Sequence, residues 1–268
     1  MQRLWERGER FDVVAGASSG AICGAVTVAG LAASGPDMFR SLATTPIVST
    51  RWLRSERSPF GMRAIVREAL ERFVPEHRIT GSDAELLVST TRAGRLLRSM
   101  WERARALTSP RPPGAPTGFA YPFEAPSPVR AMAAAEGALV VHSNRERADM
   151  HEVIVASATI PGLYARLPVL DGEVHVDGGA ADNTLLSVLL ERGVTDITVV
   201  TPYGGGAVSP ILFERERPPR GPPGVRLRLI YPERPIRLRH FDFDRGRLED
   251  ALGMPMIEET FDDERGAA

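Results

Sequence analysis

Residues 12–20 read DVVAGASSG: an aspartate and two valines, then a run of the smallest side chains, with Ser18 set between Gly16 and Gly20. The apolar FDVV at 11–14 predicts a short buried strand. AICGAVTVAGLAA at 21–33 predicts a helix whose small side chains let it lie close against a sheet. Strand, Gly-x-Ser-x-Gly, helix is the setting of a nucleophile elbow, in which a tight turn holds a serine hydroxyl clear of the backbone. The start of the helix adds partial positive charge and free N–H groups, the Ser19 amide among them, beside any oxyanion that develops there. A plain strand-to-helix turn has the same composition, so the motif by itself leaves both readings open.

Working outward, GMRAIVREALERFV at 61–74 places Met62, Ile65, Val66, Ala69, Leu70 and Phe73 on one helical face, which reads as core. LLVST at 86–90 and ALVVH at 138–142 predict strands, DMHEVIVASAT at 149–159 a helix, EVHVD at 173–177 a strand, LLSVLLERG at 185–193 a helix and DITVV at 196–200 a strand. RLLRSMWERARAL at 95–107 has helical spacing. Residues 108–128 are too proline-rich for a regular element and read as a surface loop. ERERPPRGPPG at 214–224 reads as a second loop and 262–268 as a frayed tail. Strands alternating with helices predict an α/β fold with a mostly parallel central sheet covered by helices, as one domain over 1–268.

Composition narrows the function classes. With 43% apolar and 25% charged residues among 268, the chain can bury a large core. A net charge of -1 gives no basic field for nucleic acid. All 33 basic residues are arginine, which reads as compositional bias. The single cysteine, Cys23, has no internal partner and predicts a small buried thiol in a reducing cytoplasm. No apolar run reaches the roughly 20 residues that cross a bilayer, so membrane contact is expected to be peripheral. His77, His142, His151 and His175 show no metal-ligand spacing, and no metal or cofactor is expected.

A serine hydroxyl needs a base. Two candidates follow Ser18. His240 is the only histidine after Asp177 and would complete a Ser-Asp-His order, but an elbow at residue 18 leaves no room for the strands that normally precede it in the α/β-hydrolases. Asp177 ends the strand EVHVD and is followed by Gly178 and Gly179, which permit close approach to another backbone. Asp-Gly pairs also mark ordinary turns. An aspartate serves as base only where burial raises its proton affinity, so a dry pocket around Asp177 is required.

Taken in order, GASSG at 16–20, ASATIPGLYARLPV at 156–169, HVDGGAADN at 175–183, LLERGVTDITVV at 189–200 and PERPIRLRHFDF at 232–243 resemble the patatin-like phospholipase family over most of the chain. The resemblance implies the patatin-like three-layer sandwich and a Ser18–Asp177 dyad that works without histidine. It also implies hydrolysis of a fatty acyl ester through an acyl-serine intermediate, with a lipid or acyl ester as partner. In ASATIPGLY the serine and proline read as structural, with Ile160 and Leu163 lining an acyl pocket. Asn183 reads as the cap of the next helix, and Thr184 stands where family members often have proline.

The family's pattern also has a glycine-rich oxyanion loop after a first strand. Here Met1 falls within what resembles the helix after that loop, so both are expected to be absent, leaving the Ser19 N–H as the remaining donor. YGGGA at 203–207 follows a strand but stands in the wrong order and reads as a turn. The rival to an active enzyme is therefore a lipid-binding or regulatory relative with impaired catalysis.

Overall fold

Strand β2, Glu85–Arg92, is the axis of the main sheet, and six of its residues from Leu86 to Thr91 are buried. β1 (Val13–Gly16) runs parallel to it, from Val13 opposite Glu85 to Gly16 opposite Val88. β3 (Leu139–Ser143) is antiparallel, with Leu87 opposite Ser143 and Thr91 opposite Leu139. β5 (Glu173–Asp177) is also antiparallel, with Thr90 opposite Asp177 and Arg92 opposite His175. Leu87 and Val88 each pair with both β1 and β3, and Thr90 and Thr91 with both β3 and β5. A strand has two edges, so β3 occupies one edge while β1 and β5 share the other.

The computed structural model describes all residues except 57–58, 96–136, 162–163, 165, 202–223, 235, 237–243 and 262–268. The expected helix at 95–107, the loops at 108–128 and 214–224, YGGGA, His240 and the tail fall wholly or almost wholly outside the described residues, as do Gly162 and Leu163.

The α/β class stands, with a strand pairing more mixed than a mostly parallel sheet. Among the described strands of the main sheet only β1–β2 is parallel; β4 (Val169–Leu170) forms a hairpin with β5. Its turn residues Asp171 and Gly172 have φ of 51° and 82°. Positive φ at both central positions is the geometry of a type I′ turn, whose twist suits antiparallel strands. A second sheet has β6 (Asp196–Val200) parallel to β7 (Arg226–Pro232), and β7 antiparallel to β8 (Met256–Phe261).

The helices follow their apolar spacing. They are α1 (Gln2–Glu6), α2 (Ser19–Val28), α3 (Gly35–Thr44), α4 (Trp52–Ser55), α5 (Met62–Phe73) and α6 (Glu76–Thr80). After β3 come α7 (Met150–Ser157), α8 (Leu186–Glu191) and α9 (Arg245–Gly253). α2 approaches the sheet so closely that a Cβ on Gly24 would stand 2.8 Å from Leu86 Cδ1 and 3.3 Å from Val14 Cγ1. Every residue of α7 except Glu152 is buried. Its Val153 and Ile154 join Ala21, Ala25, Leu70, Leu86 and Val88 in the main core. Each fully buried Leu, Ile or Val there contributes about 1.5–3 kcal/mol relative to exposure. A separate cluster of Leu186, Ile197 and Leu227 holds α8 to the second sheet.

Candidate active site

The elbow forms where β1 ends and α2 begins. Ser18 has φ 53° and ψ -124°, a conformation that an L-residue adopts at a strain of about 1–3 kcal/mol and only where its surroundings enforce it. Three contacts do so. The Ser18 N–H donates to Ser157 Oγ at 2.8 Å, the Gly20 N–H to the Ala17 carbonyl at 2.8 Å, and the Ala21 N–H to the Ser18 carbonyl at 3.0 Å. Gly16 is obligatory, since a Cβ there would lie 2.4 Å from the Gly20 backbone. At Gly20 a Cβ meets nothing within 4 Å. The two elbow glycines are therefore not equivalent.

Ser18 Oγ donates to Asp177 Oδ2 at 2.7 Å across 159 positions of sequence. Asp177 is fixed on every side: its N–H donates to the Thr159 carbonyl at 2.8 Å, its carbonyl accepts from Thr91 Oγ1 at 2.8 Å, and its Oδ1 accepts the Gly179 N–H at 2.8 Å. Gly178 is the second obligatory glycine, because a Cβ would stand 2.1 Å from the Ser89 carbonyl oxygen. At Gly179 a Cβ would press on Asn183 Oδ1 and on Asp177 Oδ1 itself, at 2.8 and 3.1 Å. Burial pushes the Asp177 carboxyl up from 3.8 to about 6, against the opposing pull of the Ser18 and Gly179 hydrogen bonds. The buried Tyr164 phenol lies close enough to be raised by the Asp177 charge as well as by its own burial.

Residues 1–190 match the family model of the Patatin-like phospholipase. The chain belongs to the patatin-like phospholipase family. The match spans the elbow, the Asp177 turn and the 156–169 segment, and it ends inside α8, before the second sheet. Membership makes the chain a relative of lipid ester hydrolases. No curated protein matches the chain.

In this patatin-like site three of the described histidines bond elsewhere. His142 Nε2 and His175 Nδ1 both meet Thr90 Oγ1 at 2.8 Å, and His151 Nε2 meets the Val74 carbonyl at 2.8 Å. Burial holds His142 down at about 4 and lowers His175 as well, so this buried pair is neutral near pH 7. Ser19, exposed, opens α2, and the first N–H groups of a helix have no partner within it. The Gly20 and Ala21 amides are turned to the Ala17 and Ser18 carbonyls.

Two expectations are corrected. Asn183 does not cap α8, which opens at Leu185 with no side-chain cap; Asp182 Oδ1 instead accepts from the Thr184 and Leu185 amides at 3.0 and 3.1 Å in the turn before the helix. Cys23 is half-buried rather than packed like a core alanine, and it lines a cleft of about 1900 Å³. Ser157, read from sequence as structural, accepts the Ser18 N–H at the turn. The cleft borders Gly16, Ala17, Ser19 and Gly20, and it is walled by β1, β6, Phe39 and Leu42. Among the described strands β1 pairs only with β2 and β6 only with β7, and the cleft runs between those two edges. No helix among the described residues is long and apolar enough to cross a membrane.

Proposed function

We propose that the chain is a serine lipid acyl hydrolase of phospholipase A or esterase type, with Ser18 as nucleophile and Asp177 as its only base. The observation that carries this reading is the 2.7 Å hydrogen bond from Ser18 Oγ to a carboxylate whose proton affinity burial has raised. As Ser18 Oγ attacks the ester carbonyl, its proton passes to Asp177 Oδ2 and the carbonyl π electrons move onto oxygen. The oxyanion faces the Ser19 N–H and the start of α2. On collapse the C–O bond breaks, and the departing alkoxide takes the proton back from Asp177. Water then attacks the acyl-serine, Asp177 accepts its proton, and the fatty acid leaves as Ser18 recovers the proton. An acid near 6 suits both directions, since a base works best with a pKa close to the operating pH.

A second reading, a lipid-binding relative with impaired catalysis, rests on one observation: the Ser18, Gly20 and Ala21 amides at the elbow are already bonded within the protein, to Ser157 Oγ and to the Ala17 and Ser18 carbonyls, and so are not free to serve an oxyanion. Loss of one oxyanion donor typically lowers kcat about 100- to 1,000-fold. Hydrolysis of p-nitrophenyl esters of increasing chain length and of phosphatidylcholine vesicles, with Ser18→Ala, Asp177→Asn and His240→Ala, tests the proposal. Turnover lost in the first two variants and kept in the third supports the dyad. Turnover that depends on His240 refutes it. Vesicle binding without Ser18-dependent turnover favours the second reading.

A further inference from the structure

One short segment touches both members of the Ser18–Asp177 pair. Ser157, fully buried as the last residue of α7, accepts the Ser18 N–H at 2.8 Å. Two residues on, the Thr159 carbonyl accepts the Asp177 N–H at 2.8 Å. Thr159 is itself fully buried and tied back to the helix, its Oγ1 donating to the Val155 carbonyl at 2.7 Å and its N–H to the Ala156 carbonyl at 3.1 Å. Residues 157–159 thus bracket two sites that lie 159 positions apart in sequence. The Ser157 contact is a side chain acting on a backbone. Any residue at 159 presents a carbonyl, whereas only a side chain with an acceptor oxygen at this place can take the Ser18 amide. That amide belongs to the strained residue, whose φ of 53° relaxes unless something holds it.

We propose that Ser157 is a positioning residue for the reaction: its hydroxyl oxygen pins the Ser18 amide and so sets the direction in which Ser18 Oγ points at Asp177 and at the substrate carbonyl. The inference rests on the dyad reading above. Its consequence is separable from folding. When Ser157 is replaced by alanine the elbow loses its anchor while α7 keeps its backbone. The Ser18 hydroxyl then drifts from Asp177, removing a hydrogen bond that holds the carboxyl below its desolvated value. The base becomes harder to deprotonate as the nucleophile becomes misaligned.

The test is the rate at which a fluorophosphonate probe modifies Ser18 between pH 4.5 and 8.5, in the full chain and in Ser157→Ala and Ser157→Cys, with labelling amplitude and thermal midpoint measured alongside. A misplacement of about 1 Å lowers such rates on the order of 100-fold. Ser157→Ala is expected to label about 10- to 100-fold more slowly, with a pH midpoint above that of the unmodified chain. KM for p-nitrophenyl butyrate should stay unchanged and kcat should fall. Ser157→Cys, which keeps a weak acceptor of similar size, is expected to fall between the two. A variant that labels at the original rate and midpoint overturns the inference. So does one whose deficit lies wholly in labelling amplitude, because that is the signature of a misfolded fraction. Failure of the unmodified chain to label at Ser18 is a different result, and it overturns the dyad and this inference together.

Discussion

Asp177→Asn should make the protein more stable above pH 6 while abolishing acylation. In the folded chain the carboxyl takes up its proton near pH 6, and in the unfolded chain near 3.8, because burial disfavours the charged form. Between those values the folded state binds more protons, so stability falls as pH rises from about 4 to about 6 and stays lower above that. A gap of about 2 pKa units corresponds to about 3 kcal/mol at 1.36 kcal/mol each. Asparagine removes the charge at equal size. Its carbonyl oxygen still accepts from Gly179 N–H, and its amide can donate to Ser18 Oγ in place of the bond now running the other way. The expected gain is therefore up to about 3 kcal/mol at pH 8 and close to none at pH 4. For a chain of this size that is about 6–12 °C in thermal midpoint. Scanning calorimetry of both forms at pH 4, 6 and 8 reads it directly. A midpoint that is unchanged or lower at pH 8, or a gain equal at all three values, would refute the claim that Asp177 is held as a costly buried base.

Gly16→Ala should destroy Ser18 reactivity, since the new Cβ has only Gly20 backbone to meet, whereas Gly20→Ala should fold and label with fluorophosphonate much as the unmodified chain does. Gly178→Ala should force β5 off Ser89 and destabilise by about 3 kcal/mol in urea unfolding. The rate of Ser18 acylation should rise with pH to a plateau with a midpoint near 6, because only the carboxylate accepts the proton. For His142 the sign is opposite to that of Asp177: its folded value of about 4 lies below the ordinary 6.5, so the stability of keeping it neutral is present above 6.5 and lost as pH falls toward 4. His142→Gln should lose less stability over that interval, by about 3 kcal/mol at most, in denaturant midpoints measured from pH 7 to 4.

The local parts of this architecture are legible where chemistry is local. The tight turn at Gly16 and Ser18 is legible because strand, small residues and helix are contiguous. α5 is legible because Met62, Ile65, Val66, Ala69 and Leu70 repeat at helical spacing and are all buried. β7 has no counterpart among the expected strands: the alternation of Arg226, Leu227, Arg228 and Leu229 runs on through Ile230, which blurs the period. The rest depends on partners distant in sequence. Nothing near Ser157 distinguishes it from a helix-ending serine, since its role exists only once Ser18 lies against it. Asn183 has the chemistry of a cap, yet α8 opens at Leu185 without one, and Asp182 bonds the turn before it instead. The unequal roles of Gly16 and Gly20 follow from a turn so tight that the first approaches the backbone of the second.

The mixed pairing of the main sheet is what makes the Ser18–Asp177 hydrogen bond geometrically available. In an all-parallel sheet two strand ends lie side by side and point the same way, so residues following them diverge over the sheet edge. Here β1 and β5 share one edge of β2 but run in opposite directions, the first ending opposite Val88 and the second opposite Thr90. Their carboxyl ends meet head to head, two residues apart along β2, or roughly 7 Å at the usual rise. Neither chain can continue, because each blocks the other, and both must leave the sheet beside Ser89. The turn out of β1 produces the strained Ser18. The turn out of β5 produces Asp177 with two glycines behind it, the first of which has no room for a side chain against Ser89. A single register choice on β2 thus accounts for the position of the hydroxyl, the burial that raises the carboxyl, and the need for glycine at 178. A one-residue slip of β5 would present the opposite face of the strand at the junction, turning Asp177 away from Ser18. The Thr91 and Thr159 bonds to the Asp177 backbone hold that register.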